Sequence, residues 1–367
     1  MGLGTPTTVT PRQGRDLYVI IKREEEYGVV PDDFYIDAVY LDASGETIQL
    51  ARENLYSSGV RGHGHKYNRV VSGAAGISVG GDFLSDIQYK GLETLLYGAL
   101  GGWAYAQPDP TNSPTVYSHA FYPVDDLPSF TIEIGKGKQV GAGFRYTGIM
   151  VNSLTLGVSA DGFLTGTFGL IGKDVEAINP TTGYAITYEQ LVNSTHLVTI
   201  RFIDITQIVK DISAIVGYAV SIDNQLSNDR RFLGSANIQK PQRTDKRKVN
   251  GRIVMEVGDE IVDAFTSFYY GYRHDILLNF LGTTIDGIFN KSFSIRTFRT
   301  EFRGGTPSVV SAGRQHADVP FDCFSDTIEP IPPNFTFDGE ILLGMTNDQV
   351  PPAYATSIGD FDEDFAF

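Results

Sequence analysis

The sequence predicts a mainly β fold of the α+β class, built from two similar strand–helix–strands units. Three observations predict it. The 367 residues include 40 Gly, 19 Tyr and 23 Phe, which suit strands and turns better than helical bundles. Several runs alternate apolar and polar residues. One pattern of turns, strands and helix recurs in both halves. With 41% hydrophobic residues the chain can bury a core, and its length is that of two or three domains.

In the first half, Ser72-Gly73 leads into Ile77 and Val79 and a stop at Gly81-Asp82. Leu84, Ile87, Leu92, Leu95 and Leu96 then recur at helix-like spacing up to Tyr97-Gly98. Ala104 to Pro128 is rich in Pro, Tyr and Asp and reads as a surface loop. A strand over Phe130 to Ile134 follows. The clearest hairpin runs from Asn152 to Ile171. Leu154, Leu156 and Val158 alternate with Ser153, Thr155 and Gly157, and Ala160-Asp161-Gly162 predicts a tight turn. Phe168 and Leu170 return on one side, with Thr165, Thr167 and Gly169 on the other. One face is apolar and one small and polar, as in a half-buried antiparallel sheet.

The second half repeats the grammar. Asn250-Gly251 leads into a strand with Ile253, Met255 and Val257 on one face and Arg252, Val254 and Glu256 on the other. Gly258-Asp259 ends it. Ile261, Val262, Phe265 and Phe268 mark a short helix up to Tyr270-Gly271, followed by a strand over Ile276 to Leu281 and a hairpin-like segment from Lys291 to Phe324. The spacing from Asp to Tyr-Gly is 15 residues in one copy and 11 in the other, a difference of about one helical turn. The pattern reads as a duplication. Residues 1–173 form the first unit, 174–218 a linker or small insertion, and 219–303 the core of the second. Residues 304–367 are an acidic C-terminal part that completes the second unit or extends outward.

The net charge of −15 excludes bulk attraction to nucleic acid. Most of it lies from Glu301 onward, where two arginines face twelve acids. No run approaches the ~18 apolar residues of a spanning helix. The start, Met-Gly-Leu-Gly-Thr-Pro, has no feature of a secretion signal. The lone Cys323 excludes a disulfide scaffold, fits a reducing cytosol and reads as a packed thiol. Gly135-Lys-Gly-Lys138 lacks the spacing of a phosphate loop, and His63 and His65 lack a third metal ligand. No nucleophile motif is present. Neither an enzyme nor a cofactor is expected.

Two basic segments stand before the matching strands. One carries Arg52, Arg61, His63, His65, Lys66 and Arg69; the other Arg230, Arg231, Arg243, Lys246, Arg247 and Lys248. They read as solvated loops or as extended contact arms. With an acidic C-terminal region, such arms suit head-to-tail stacking of identical copies. Nucleic-acid binding ranks below both, because the second arm lacks interleaved aromatics.

Phe144 to Ser159 with Thr165 to Lys173, Ser221 to Leu226, Lys248 to Val257, and Arg69 to Gly73 with Gly76 to Val79 together resemble the major tail tube proteins of long-tailed, non-contractile bacteriophages. The resemblance spans roughly Arg52 to Arg303. It implies a β-sandwich or split barrel with a flanking helix, assembled into rings with a continuous β-lined channel. The rings stack head to tail around a tape measure protein, and DNA later passes through without specific binding. Tail terminator and tail tip proteins are the implied further partners. The implied location is the virion tail, after synthesis in the host bacterial cytoplasm. A channel that passes DNA needs a neutral or acidic wall of small side chains, and Thr165, Thr167, Gly169 and Glu256 are the candidates. Two units per chain favour a homotrimer with pseudo-sixfold symmetry over a homohexamer. Alternatives are a tail terminator or adaptor ring, an outer-membrane β-barrel, and a soluble carbohydrate-binding or hydrolytic β-protein.

Overall fold

In the computed structural model the described residues are 17–57, 69–136, 143–180, 189–204, 209–211, 215–257, 259–304, 316–328 and 337–358. Among them, twenty strands hydrogen-bond into one large sheet that does not close into a barrel. Helix α1 spans Glu93–Leu100 and α2 spans Asp259–Tyr270. The mainly β expectation holds.

Eight antiparallel strands form the principal stretch of the sheet. In spatial order they are Gln49–Ser57, Arg69–Asp86, Thr165–Gly172, Gly143–Ser159, Ile215–Asp223, Lys248–Glu256, His316–Asp322 and Asn290–Phe302. The last four repeat the arrangement of the first four. Behind them, Leu17–Arg23 pairs with Phe130–Lys136, which pairs with the start of Gly143–Ser159. Likewise Leu197–Asp204 pairs with Arg273–Thr284, which pairs with Asn290–Phe302.

The irregularities repeat as well. Register slips between Phe130 and Ile132 and, at the matching place, between His274 and Ile276. Gly148 and Arg299 hold left-handed backbone at matching points of their strands, with φ of 64° and 42°. Each long strand changes partners beside that residue. Each helix is followed by a left-handed glycine, Gly101 and Gly271. Inward side chains of both halves, among them Phe83, Leu154, Phe168, Val220, Ile253 and Val319, share one core with Ile21, Ile132, Ile276 and Leu278.

Several expectations need correction. Arg69–Asp86 runs straight through Gly81-Asp82. Phe83 and Ser85 are buried while Leu84 is exposed, so this stretch has strand period, not helical. Helix α1 begins only at Glu93, and all eight of its residues are buried, which erases the amphipathic spacing. Gly81 is needed where Thr47 crosses the strand, just as Gly251 is needed beside Ala219. Gly81 therefore matches Gly251, and Gly101 matches Gly271. The helices then end in register and the four-residue difference disappears.

The segment read as a surface loop is a hairpin, Gly101–Ala106 and Tyr117–Pro123, with Trp103 and Phe121 in the core. Its Pro and Asp signals belong partly to the turn between those strands, at Pro108, Asp109, Pro110 and Pro114, and partly to the loop after them, at Asp125, Asp126 and Pro128. The hairpin after Ser159 exists, but its turn takes residues 160–164 and is fixed from outside, Leu164 N–H donating to Val192 O and Ala160 N–H to Val216 O. The segment 174–218 contributes sheet strands, including Asp174–Ile178 against Gly143–Ser159. In the acidic C-terminal part, Ile341–Asn347 is buried at all seven residues, between Asn290–Phe302 and Tyr117–Pro123. Cys323 is buried, which pushes its thiol up to about 12.

A polar chain crosses this interior. Trp103 Nε1–H donates to His119 Nδ1 at 3.1 Å, so Nε2 carries the proton toward Asn347 Oδ1, also 3.1 Å away. Asn347 donates onward to Glu93 at 2.7 Å and to the Tyr89 carbonyl at 2.8 Å. Burial pulls His119 from 6.5 down to about 4 and pushes Glu93 up. A base depressed by folding loses stability as pH falls below its unfolded value, because only the unfolded chain takes up the proton. The stability of the natural protein relative to His119→Gln is expected to fall by up to about 3 kcal/mol between about pH 6.5 and pH 4. Urea midpoints across pH check this, and the contribution of Glu93 cancels in the difference.

Candidate functional site

Directly paired residues of antiparallel strands point to the same side of a sheet. The registers therefore place Thr165, Thr167 and Gly169 on one face with Asp82, Leu84 and Asp86 on one neighbour and Ser153, Thr155 and Gly157 on the other. Across the junction of the halves, Ser221 and Ala219 continue this face, then Asn250 and Arg252, then Asp318, Pro320 and Asp322. Glu256 lies on it too, opposite His316. The four residues chosen from sequence thus share one surface, turned away from the core.

The middle of this face is small and self-satisfied. Thr155 and Ser221 hydroxyls lie 3.1 Å apart across the junction, and Thr165 Oγ1 donates to the Gly157 carbonyl at 3.2 Å. Asp82, Asp86, Asp223, Glu256, Asp318 and Asp322 stand on the face against the bases Lys248 and Arg252, so it is net acidic. Arg252 is matched to Asp318 at 3.3 Å, both about half exposed. Sequence reasoning set Arg252 on the polar face with Glu256 but missed Asp82, Asp86 and Asp223 as members of this surface. Their alternation was readable, but which strands neighbour one another was not.

The second basic segment is a strap, not an extended arm. Arg243 and Arg247 both donate to the Val124 carbonyl, at 2.8 and 2.6 Å, and Arg243 meets Asp125 at 3.1 Å. Arg247 also donates to Asn224 Oδ1 at 3.0 Å and lies 3.6 Å from Glu340. Its side chain is only 7% exposed. Burial and the adjacent Arg243 bring Arg247 down to about 10, so it stays charged at neutral pH. Arg230 donates to the Lys240 carbonyl, Lys240 pairs with Asp126, and Arg231 lies over Gly76. The strap ties the second half to the loop after Tyr117–Pro123 and to Arg69–Asp86 through Ile77 N–H to Ala236 O. Lys246 and Lys248 are exposed, as is Arg52 on the edge strand. Arg61, His63, His65 and Lys66, and the side chain of Arg69, lie outside the described residues.

Asn224 is the pivot of the junction. It is fully buried, donates to the carbonyls of Ala99 and Val151, and accepts from Arg247. Arg247→Ala is expected to destabilise the chain by about 3 kcal/mol, because it strands buried acceptors. Lys246→Ala is expected to stay within about 0.5 kcal/mol. Chemical denaturation of the two variants checks the contrast.

A model of the phage tail tube protein family matches residues 14–323. A search of curated proteins finds no match. The family match spans most of the chain, and the chain belongs to the phage tail tube protein family, structural components of the virion tail that self-assemble into the tube.

Proposed function

We propose that this chain builds the tail tube of a long-tailed, non-contractile phage in stacked rings of three chains. In each ring the principal sheets join edge to edge around a channel that holds the tape measure protein and later passes DNA. The carrying observation is the junction inside the chain. Seven residue pairs join Gly143–Ser159, from the first four-strand set, to Ile215–Asp223, the first strand of the second set. Gln49–Ser57 is the counterpart of Ile215–Asp223, and its outer edge has no partner among the described residues. A free edge of this kind calls for another strand. Repeating the internal junction between chains takes two units from each, so three chains give six.

The polar face suits the inner wall. Phosphates pass once per ~1.7 Å of DNA axis, and the screening length is only ~8 Å at physiological salt. Small hydroxyls with a mild acidic excess repel DNA without a binding step. For the stacking of rings, Lys246 and Lys248 are exposed bases available to meet acidic groups of the next ring. Tail terminator and tip proteins would cap the two ends of such a tube, and synthesis would take place in the host cytoplasm.

Electron microscopy of the concentrated protein is expected to show long tubes with three chains per ring. Six chains per ring would remove the two-unit reading, and rings that never stack would favour a terminator. Thr167→Arg is expected to leave assembly intact while slowing DNA ejection, more so at low salt. Ejection timed from assembled virions at two salt concentrations checks this.

A further inference from the structure

The two helices differ in one respect that their common position does not explain. All eight residues of α1 are buried. On α2, Phe265, Phe268, Tyr269 and Tyr270 are 37 to 70% exposed. Phe265, Tyr269, Tyr270 and Tyr272 form a row of neighbouring rings, with centroids 6.2, 5.1 and 5.6 Å apart in turn. Matching Gly271 to Gly101 sets Phe265, Phe268, Tyr269 and Tyr270 at the stations of Leu95, Gly98, Ala99 and Leu100.

Beyond the strands of its own half, Gly143–Ser159 and the Gly101–Ala106 and Tyr117–Pro123 hairpin, α1 is also covered by the second half of the same chain. Asn224 donates to the Ala99 carbonyl at 2.8 Å, Asn347 to Glu93 at 2.7 Å, and Tyr354 stacks on Tyr97 with centroids 5.2 Å apart. The strand before Asn224 buries Ile222 completely, in the same core as the leucines of α1. The register match of Val79 with Val249 places Leu50 at the station of Ile222 and Arg52 at that of Asn224. Yet Leu50 is 44% exposed where Ile222 is 0%. One unit thus bares a helix face, the other bares a strand end, and the chain already shows how such a pair closes.

We propose that the aromatic face of α2 is the seat of the neighbouring copy in the ring, receiving Leu50 and Arg52 from that copy's edge strand. The inference rests on the tube reading. The charge fits: α2 has no basic residue in its last turn, its C-terminal carbonyls favour a cation, and a guanidinium also suits the faces of Tyr269 and Tyr270. The aromatic residues replace the intrachain cover with broad, rigid contact area of the kind that anchors interfaces.

The test uses the full chain. Tyr269→Glu and, separately, Leu50→Glu are expected to keep the melting temperature and circular dichroism of the single chain, because both side chains are exposed there. Each is expected to need about tenfold higher protein concentration, or more, to form rings. Arg52→Cys combined with Tyr269→Cys is expected to give chains linked to one another on oxidation, while either cysteine alone gives none. Rings that form at the natural concentration in both Glu variants overturn the proposal, as does the absence of interchain links in assembled rings of the double variant. If the unaltered protein never forms rings, the tube reading itself falls, which is a separate outcome.

Discussion

An unpaired strand edge is the constraint around which this chain is arranged. Every edge offers a row of N–H and C=O groups that a further strand can capture. Inside the chain the problem is met by placing a second four-strand set against the first, where Ile215–Asp223 covers the edge of Gly143–Ser159. The solution leaves a like edge at Gln49–Ser57. A closed ring removes it without limit on regularity, since each copy supplies what its neighbour lacks. The junction also holds a buried polar group. Asn224 satisfies two carbonyls of the first half and is held by Arg247 of the strap, so a slip of one residue would strand several buried partners at once.

The halves share a plan and differ in what has been added to it. After α1 the chain inserts the Gly101–Ala106 and Tyr117–Pro123 hairpin, whose second strand pairs with Ile341–Asn347 of the other half. After α2 the chain goes directly into Arg273–Thr284. The added hairpin, the arginine strap and the C-terminal strand all act at the internal junction. They make that junction permanent, with a core continuous through it. Gln49–Ser57 and α2 carry no such additions among the described residues, and there the surface is aromatic on α2 and bare on the edge strand. Permanent contacts can afford small, aliphatic helix faces, as at Gly98 and Ala99. A contact that must form between separate chains gains more from large rings already held in place.

Much of the plan was legible because it rests on period and punctuation. The alternation of Leu154 and Leu156 with Ser153 and Thr155, and of Ile253 and Met255 with Arg252 and Val254, fixed two strands and their polar sides. The recurrence of Gly-strand-helix grammar pointed to two units. The alignment between them slipped because Gly81 and Gly258 both looked like stops. Gly81 is instead a crossing point inside a strand, a property of tertiary packing that no local pattern carries. The hydrophobic run at 84–96 misled for a similar reason: a strand followed by a fully buried helix offers no clean period of either kind. Arg243 and Arg247 looked like a solvated run because charge in sequence does not tell which way a guanidinium turns. The acceptors that turn them inward, Val124, Asp125 and Asn224, are from 19 to 123 positions away.

The inward turn of the strap bears on what the outer surface can do. Of the bases in the second segment, Arg243 and Arg247 are committed to the Val124 carbonyl, and Lys240 to Asp126. Exposed charge is left at Lys246 and at Lys248, the latter on a polar face that is itself acidic. Surface pairs of this kind are each worth at most about 1 kcal/mol and weaken with salt. Stacking held by them alone would be marginal for one chain. Repetition around a ring multiplies the same weak contact with little added ordering cost, so a tube can be stable although each subunit contact is slight. The strong, salt-insensitive contacts are then free to lie within the ring, where apolar rings and strand pairing close the circle.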